Sequence, residues 1–373
     1  MEAKRLKDYR DEIYTCNRSH CGYCQEGCPS YRILGFEQYS SRGKMLTARV
    51  FLEKKIDLNE SVVDAVFNCF LCGFCDAKCA LYPTNIFSSF RREIFLANKT
   101  PKPLMRVIDS VSRYGNPHGF EEERYLWAKG LDVGSGSNRI FFPGCIYSYF
   151  YPKYTQTTYH LLRRIGTGIS YIPEIDGCCG YPIFLTGNWE MFEEIARKNY
   201  KRWRDRGVKK IITPCPGCFA ALSELYPQFV EEFDIEIKHA VIEVFEAYDN
   251  GRIKLGKVYG TVTYHDPCDL SRKFGFVEEP RKLIEAIAED IVEPRYTKYF
   301  AKCCGGGGLV SAYNPKLHIR ASMDRARELV ETQAEIITTA CPTCIRTLNK
   351  GLKKIKAKKE LIDLNIMLNR ALV

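Results

Sequence analysis

Two pairs of adjacent cysteines, each followed by glycine, constrain this chain more than any other feature. They are Cys178-Cys179-Gly180 and Cys303-Cys304-Gly305, and the glycine run after the second pair continues to Gly308. Adjacent cysteines fit a tetrahedral zinc site poorly, because zinc knuckles space their ligands two to four residues apart. Both can reach a multi-iron centre if the backbone runs close to it, and glycine removes the side chain that would block this approach. The pairs therefore predict iron–sulfur chemistry.

Further cysteines surround each pair at matching distances. One cysteine precedes each pair and a Cys-x2-Cys follows it, so that corresponding cysteines lie 123, 125 and 126 residues apart. Such regular spacing indicates an internal duplication. The first five-cysteine set is Cys145, Cys178, Cys179, Cys215 and Cys218, and the second five-cysteine set is Cys268, Cys303, Cys304, Cys341 and Cys344. Two duplicated lobes could close around a pseudo-twofold axis and bring both sets to their interface.

Two tight cysteine runs occupy the N-terminal part: Cys16-x4-Cys21-x2-Cys24-x3-Cys28-Pro29 and Cys69-x2-Cys72-x2-Cys75-x3-Cys79. In the bacterial ferredoxin pattern, three cysteines of one run and the last cysteine of the other hold each cubane [4Fe–4S] cluster. This predicts a first four-cysteine set of Cys16, Cys21, Cys24 and Cys79, and a second of Cys28, Cys69, Cys72 and Cys75. The x4 spacing and Ala80 after Cys79 depart from the pattern. The long separation of the runs favours a helical ferredoxin domain.

Composition favours metal over disulfides. The chain has 373 residues and 18 cysteines, and every cysteine falls into one of these motifs. Residues 1–14 are charged and lack the apolar core of a signal peptide, which predicts a reducing, cytoplasmic location. No apolar run approaches the roughly 20 residues of a membrane span, so we expect any membrane contact to go through a partner.

The net charge of +10 is spread along the chain except for a lysine cluster at 350–359. A solvated face of the last helices is a simpler explanation of that cluster than an acidic partner or an anionic membrane surface. Charge alone is the only feature that would suggest nucleic-acid binding, so we expect none.

Apolar periodicity predicts an α/β fold with three parts. We expect a helical two-cluster ferredoxin-like domain with its linker at residues 1–130, a first lobe at 131–255 and a second lobe at 256–373. Helices are predicted at 41–54, 61–68, 153–165, 189–205, 280–290 and 314–332. Strands are predicted at 139–142, 169–172, 209–213, 261–265 and 335–339. Several strands run directly into a cysteine, which places ligands at the carboxyl edge of a parallel sheet.

The two five-cysteine sets resemble the CCG domain of heterodisulfide reductases from methanogenic archaea. With the two N-terminal runs, the arrangement is similar to the single-chain type that works beside a membrane cytochrome b. The resemblance implies a noncubane [4Fe–4S] cluster on each five-cysteine set, in addition to two cubane clusters on the four-cysteine sets. It also implies cleavage of a disulfide such as that of coenzyme M and coenzyme B, with one sulfur taken at each noncubane cluster.

Catalysis of this kind needs proton donors and access to the clusters. His265 and Tyr264 near Cys268, and Tyr181 after the first pair, are the candidate donors. An ordering hydrogen bond in the Asp266-Pro267 turn explains His265 equally well. Gly180, Gly305 and Gly306 are expected to give the backbone access to the clusters. No nicotinamide or flavin fingerprint is present, so electrons would arrive from or leave to a partner protein, either a flavoprotein or a membrane cytochrome b.

Two other functions fit the same residues. CCG proteins also serve as electron-transfer subunits of flavin-linked hydroxy-acid or glycerol-3-phosphate dehydrogenases and of sulfur-metabolism membrane complexes. Alternatively, a five-cysteine set could bind zinc or nothing and serve only as a scaffold. Because both sets are complete, disulfide reduction is the favoured hypothesis.

Overall fold

The N-terminal part of the chain is built from α-helices. The computed structural model describes residues 3–134 and 136–373. Ser40 and Asn59 each cap a helix by accepting a backbone hydrogen bond, as short polar residues do at helix starts. Both helices were predicted, and both cysteine runs lie mainly in the connections around them. The helices are α1 (Arg10–Ser19), α2 (Pro29–Leu34), α3 (Ser41–Leu52), α4 (Glu60–Phe67), α5 (Pro83–Leu96) and α6 (Lys102–Tyr114).

Two fully parallel sheets follow, one in each lobe. The strands are β1 (Arg139–Phe141), β2 (Lys210–Thr213), β3 (Glu236–His239), β4 (Tyr259–Tyr264), β5 (Ala288–Ile291), β6 (Ile336–Thr339) and β7 (Glu360–Asp363). The first sheet has the order β1-β2-β3 and the second β5-β4-β6-β7. In both lobes a buried central strand, β2 or β6, runs directly into the Cys-x2-Cys motif. The predicted α/β class and the duplication are confirmed.

Helices alternate with these strands. Those of the first lobe are α7 (Cys145–Phe150), α8 (Pro152–Arg164), α9 (Tyr181–Thr186), α10 (Trp189–Asp205), α11 (Pro216–Ala220), α12 (Tyr226–Phe229) and α13 (Ala240–Asp249). Those of the second are α14 (Glu278–Ile287), α15 (Val310–Tyr313), α16 (Pro315–Glu331), α17 (Pro342–Lys354) and α18 (Leu364–Ala371). The long helices α10 and α16 are both capped by asparagine, at Asn188 and Asn314.

The structure corrects two predicted elements. The predicted strand at 169–172 makes only one isolated bridge, between Ser170 and Ile140, because Pro173 begins a 3₁₀ turn directly after it. The predicted helix at 280–290 ends at Ile287, and its last three residues belong to edge strand β5. Strands β3 and β7 were not predicted at all. Their mixed charged and apolar residues resemble loops, although both strands pair with a central strand.

One apolar cluster joins the two lobes. It combines Trp127, Tyr159 and Val244 of the first lobe and its linker with Ile284 and Met367 of the second. A second cluster joins the helical domain to the first lobe, and it includes Phe87 and Phe184. The three parts therefore share continuous cores. Among the described residues, no helix has the length and apolar character needed to cross a bilayer.

Candidate metal centre

All 18 cysteines lie in the described part of the chain, and all are free thiols. None of them forms a disulfide bond. Most of these thiols are buried or half-buried, and a thiol surrounded by other thiols in a dry interior is a soft ligand set suited to iron–sulfur clusters or zinc. The grouping of the thiols then decides between these metals.

The first four-cysteine set forms around Cys16. Burial and then the neighbouring thiols of Cys24, Cys79 and Cys21 raise the pKa of the Cys16 thiol to about 11. Cys79 therefore lies beside Cys16 of the other run, as the ferredoxin pattern predicts. Cys21 is the exposed member of the group, and the backbone N–H of Tyr23 lowers its pKa. This set lies at the protein surface.

The second four-cysteine set lies deeper. Burial is the main cause that raises the pKa of Cys75. The negative charges of Asp76 and of the thiols of Cys69, Cys72 and Cys28 raise it as well. Burial likewise raises the pKa of Cys28, to about 11, and the ammonium of Lys44 opposes this increase. Lys44 is itself buried and donates a hydrogen bond to the Ser40 carbonyl at 3.1 Å. A buried cation at this position offsets the negative charge of thiolate ligands.

The first five-cysteine set is closely grouped. Burial raises the pKa of Cys145 to about 12, with contributions from Cys179 and Cys215. Cys178 and Cys218 both hydrogen-bond to Cys179, which lowers the pKa of Cys179 well below its ordinary value. The guanidinium of Arg124 lies close enough to favour the charged form of Cys145 and Cys179.

The second five-cysteine set repeats this arrangement. Cys303 contacts Cys268 and Cys304, and the sulfur atoms of Cys304 and Cys344 are 3.4 Å apart. The pKa of Cys304 is lowered by hydrogen bonds from Cys303 and Cys344. In each lobe, the backbone N–H of the glycine after the pair donates to the sulfur of its first cysteine, at 3.4 Å for Gly180 and 3.3 Å for Gly305.

Each set fits an iron–sulfur cluster. Each set consists of four or five thiols, which matches the all-cysteine ligation of such clusters. The carboxylate of Asp76 lies beside the second four-cysteine set, 3.7 Å from the sulfur of Cys75. Gly144 supports this assignment in the first lobe. A side-chain carbon added at Gly144, where φ is +77°, would lie 2.7 Å from the sulfur of Cys218, so the backbone must approach this sulfur without a side chain. Sequence reasoning missed Gly144, although it directly precedes Cys145.

Contacts between cysteines connect three of the four sets in a series. Cys72 of the second four-cysteine set hydrogen-bonds with Cys303 of the second five-cysteine set. Cys341 of that set is close enough to Cys215 of the first five-cysteine set for the two thiols to interact electrostatically. These three sets therefore run from the second four-cysteine set through the interior to the interface between the lobes.

The three candidate proton donors lie near the second five-cysteine set but not together. His265 is buried and in hydrogen-bonding contact with Cys304. Tyr181 approaches Cys268, and its hydroxyl accepts a hydrogen bond from Lys273 Nζ at 2.8 Å. The hydroxyl of Tyr264 is buried with no hydrogen-bond partner among the described residues.

The glycines of the two pairs are placed by packing. Side-chain carbons at Gly180 and Gly305 would collide with Phe192 at 2.8 Å and with Ala321 at 2.9 Å, on α10 and α16 respectively. At Gly306 the added carbon would meet Thr343 at 2.7 Å, with the sulfur of Cys304 at 3.3 Å. Glycine is therefore needed at Gly180 and Gly305 mainly because a neighbouring helix packs against the backbone. The group that these two residues direct at sulfur is the backbone N–H.

A cavity of 690 Å³ opens beside these groups, where the helical domain meets both lobes. Its walls include Gly73 and Asp76 from the second cysteine run and Arg272 and Lys273 from the segment after Cys268. No sequence pattern indicated this cavity, because it forms from three parts of the chain that are distant in sequence.

Comparison with known families agrees with this geometry. A family described as "4Fe-4S dicluster domain" matches residues 12–86, and "Cysteine-rich domain" (CCG) matches residues 140–223 and again 262–349. The chain carries a dicluster domain and two CCG domains. The two CCG domains contain the two five-cysteine sets, and the dicluster domain contains both N-terminal runs.

Curated relatives share this organisation along nearly the whole chain. One component of the dihydromethanophenazine:CoB–CoM heterodisulfide reductase of Methanosarcina acetivorans is 28% identical, over 97% of this chain and 94% of that protein. One component of the fumarate reductase (CoM/CoB) of Methanothermobacter marburgensis is 27% identical, over 95% and 71%. The EtfAB:quinone oxidoreductase of Syntrophomonas wolfei is 23% identical, over 95% and 57%. Together with its dicluster and CCG domains, these similarities identify the chain as an iron–sulfur oxidoreductase.

Proposed function

We propose that this chain is the catalytic component of a disulfide reductase, acting on a small disulfide such as that of coenzyme M and coenzyme B. The observation that carries the proposal is the approach of two complete five-cysteine sets, at Cys215 and Cys341, across the interface of the lobes. Similarity to the heterodisulfide reductase component of Methanosarcina acetivorans over 97% of the chain supports it.

Four metal clusters follow from the four groups of thiols. The first and second four-cysteine sets would each hold a cubane [4Fe–4S] cluster, and each five-cysteine set a noncubane one. When bound, these clusters supply one-electron transfer and an iron site for each sulfur of the cleaved bond. The protein contributes the order of the sets, the exclusion of water from the buried ones and the N–H donors of Gly180 and Gly305.

The exposed thiol of Cys21 marks the surface where a redox partner would dock. No other described cysteine is exposed, and Cys72 contacts Cys303 directly. A flavoprotein or a membrane cytochrome b would therefore exchange electrons at the first four-cysteine set. We place the chain in the cytoplasm, with any membrane contact made through that partner.

Proton delivery is assigned to groups near the second five-cysteine set. Lys273 is held by Tyr181 at 2.8 Å and by Asp269 at 2.9 Å, and it lines the cavity where a thiol product could leave. Tyr181 connects Lys273 to the region of Cys268. His265 is enclosed, so its role is in the interior and not in exchange with solvent.

A second function has one observation in its favour, the similarity to EtfAB:quinone oxidoreductase. In that case the chain would relay electrons between a flavoprotein and a quinone, and the five-cysteine sets would bind no substrate sulfur. The two functions differ in whether a thiol or disulfide interacts with these sets.

The test is anaerobic purification followed by iron analysis, electron paramagnetic resonance and a disulfide-reduction assay with reduced methyl viologen. We expect about 16 iron atoms per chain, four for each cluster, and an oxidised-state signal that changes when coenzyme M or coenzyme B is added. Reduction of the mixed disulfide should be lost in Cys341→Ser. About eight iron atoms, or zinc in the lobes, would contradict the noncubane assignment. Full iron content with no thiol-dependent signal and no disulfide reduction would favour the relay function.

A further inference from the structure

The two CCG domains differ beside their cysteines. His265 stands three residues before Cys268, and the corresponding residue of the first lobe is Phe142, three residues before Cys145. Phe142 packs edge-on against Trp203, with ring centres 5.9 Å apart. His265 instead approaches sulfur, so the duplicated position is apolar in one lobe and a hydrogen-bonding group in the other.

Arg325 on α16 fixes which nitrogen of His265 carries the proton. The Nε–H of Arg325 donates to Nδ1 of His265 at 3.0 Å. An arginine guanidinium stays protonated in proteins and has no acceptor, so Nδ1 must offer its lone pair. In a neutral imidazole the single N–H then belongs to Nε2. His265 is fully buried beside the Arg325 guanidinium, a surrounding that disfavours a second cation on the imidazole.

Arg325 is itself held in place. It is completely buried, and its Nη1 donates to the Tyr296 carbonyl at 2.9 Å. The same nitrogen forms an ion pair with Glu328 Oε2, also at 2.9 Å. Glu328 in turn accepts from the backbone N–H of Tyr296 at 2.7 Å. The first lobe has no such arrangement, because Asn199 stands at the equivalent turn of α10 and donates to the Cys178 carbonyl at 2.8 Å.

We propose that Arg325 is a positioning residue that makes His265 an N–H donor to the sulfur of Cys304, and that this bond raises the reduction potential of the second CCG centre. A hydrogen bond to a ligating sulfur withdraws electron density and stabilises the more negative, reduced state. The inference rests on the proposed function only in requiring a cluster in each five-cysteine set.

The same geometry excludes His265 as a metal ligand. Ligand atoms of His265, Cys304 and Cys344 lie within 4.8 Å of one another, close enough for a three-ligand metal site. However, the Nδ1 lone pair is occupied by Arg325 and the other nitrogen carries a proton, so neither can bind metal. The histidine is therefore an outer hydrogen-bond donor to a thiolate ligand.

The hydrogen bond from His265 to Cys304 lies where electrons would pass from the dicluster domain to the CCG domains. Cys303, next to Cys304, is the cysteine that contacts Cys72 of the dicluster domain. Of the two five-cysteine sets, the second is therefore the one in contact with the dicluster domain. A higher reduction potential there would retain the first electron until a second arrives.

The test is a potentiometric titration of the anaerobically purified holoprotein, followed by electron paramagnetic resonance without any disulfide substrate. His265→Phe copies the first lobe, and Arg325→Met frees the imidazole to adopt either tautomer. Each should lower the potential of one CCG centre and leave the other unchanged. At fixed potential, the reduced-to-oxidised ratio should fall about tenfold, which is 59 mV for one electron. His265→Gln, which retains an N–H donor, should recover most of the shift.

Arg327→Met is the matched control, since Arg327 lies on the same helix but is exposed. It should leave both potentials unchanged. If Arg325→Met fails to fold or loses iron, the two His265 variants still decide the question. Unchanged potentials in His265→Phe with full iron content, or equal shifts in His265→Phe and His265→Gln, would overturn the inference. A protein that shows the predicted shifts but reduces no disulfide would instead contradict the proposed function.

Discussion

The hydroxyl of Tyr147 in the first CCG domain donates a hydrogen bond to the carboxylate of Asp363 in the second. Both side chains are fully buried. The pKa of Tyr147 is raised by burial and by Asp363, and then by the thiols of Cys341 and Cys215. This single bond therefore joins the two lobes at the place where their five-cysteine sets approach each other.

Removing the Tyr147 hydroxyl should destabilise the protein. In Tyr147→Phe the carboxylate of Asp363 loses one partner while it stays buried, and a buried acceptor without its partner costs about 1–3 kcal/mol. Asp363 keeps the backbone N–H groups of Asn365, at 2.8 Å, and of Ile366, together with Nδ2 of Asn365 at 3.0 Å. Anaerobic denaturant unfolding measures the loss in the free energy of unfolding.

Tyr264→Phe is the control for that measurement. The Tyr264 hydroxyl is also buried, but it has no hydrogen-bond partner among the described residues. Replacing it with hydrogen should leave stability unchanged or raise it slightly, because an unsatisfied polar group is removed. Equal losses in Tyr147→Phe and Tyr264→Phe would show that the bond to Asp363 contributes nothing.

Asp363 also predicts a pH dependence. Burial raises its pKa from 3.8 to about 6. Between these values the folded protein holds a proton that the unfolded chain has released, so its contribution to stability falls as pH rises from about 4 to 6. Relative to Asp363→Asn, which cannot titrate, the unsubstituted protein should lose about 3 kcal/mol across this window.

Unfolding at several pH values, with infrared detection of the protonated carboxyl band, tests this prediction. The band should be present below about pH 6 and absent in Asp363→Asn. His239 occupies the equivalent helix cap in the first lobe and is likewise fully buried. Its pKa is lowered by burial to about 3, so its contribution is lost as pH falls below 6.5. A constant stability difference between pH 4 and 6 would show that Asp363 is ionised throughout.

The cysteine spacing and the apolar runs were sufficient to predict the helical domain, the duplicated lobes and the strands that lead into Cys215 and Cys341. Ligand spacing and apolar runs are local features, and they are retained when the chain folds. The groups that distinguish the two lobes could not be predicted in the same way. Arg325 and Asp363 are polar residues on a helix and a strand whose partners, His265 and Tyr147, are far away in sequence. Only the packed structure shows that these charges are buried.

Arg91 should be important for attaching the dicluster domain. Its guanidinium is fully buried and donates to the carbonyls of Leu185 and Gly308, each at 2.9 Å, and of Cys69 at 2.7 Å. These carbonyls belong to the first lobe, the second lobe and the second cysteine run. Arg91→Met leaves all three without their donor, and we expect a loss of about 3 kcal/mol or more in the free energy of unfolding.

The neighbouring Arg92 provides the comparison. It pairs with the largely exposed Glu190 at 2.6 Å, and a surface ion pair contributes about 0–1 kcal/mol. Arg92→Met should therefore have a small effect in the same unfolding experiment. Limited proteolysis would locate the damage, since Arg91→Met should make the connection between the dicluster domain and the lobes more susceptible to cleavage.

Gly308 tests the contact between the dicluster domain and the second lobe from the backbone side. Its φ is +61°, and a side-chain carbon would lie 2.3 Å from the Cys69 carbonyl oxygen and 2.7 Å from the carbonyl carbon of Phe70. Both are backbone atoms beside the second four-cysteine set, so they cannot move without displacing its ligands. Gly308→Ala should lower the free energy of unfolding and reduce the iron content.

Gly130→Ala is the control. It has the same kind of backbone strain, at φ +80°, but the added side-chain carbon would have no atom within 4 Å. It should cost only about 1–2 kcal/mol of backbone strain with full iron retained. Equal effects of the two substitutions would mean that the left-handed conformation, and not the close approach to Cys69, is what requires glycine at position 308.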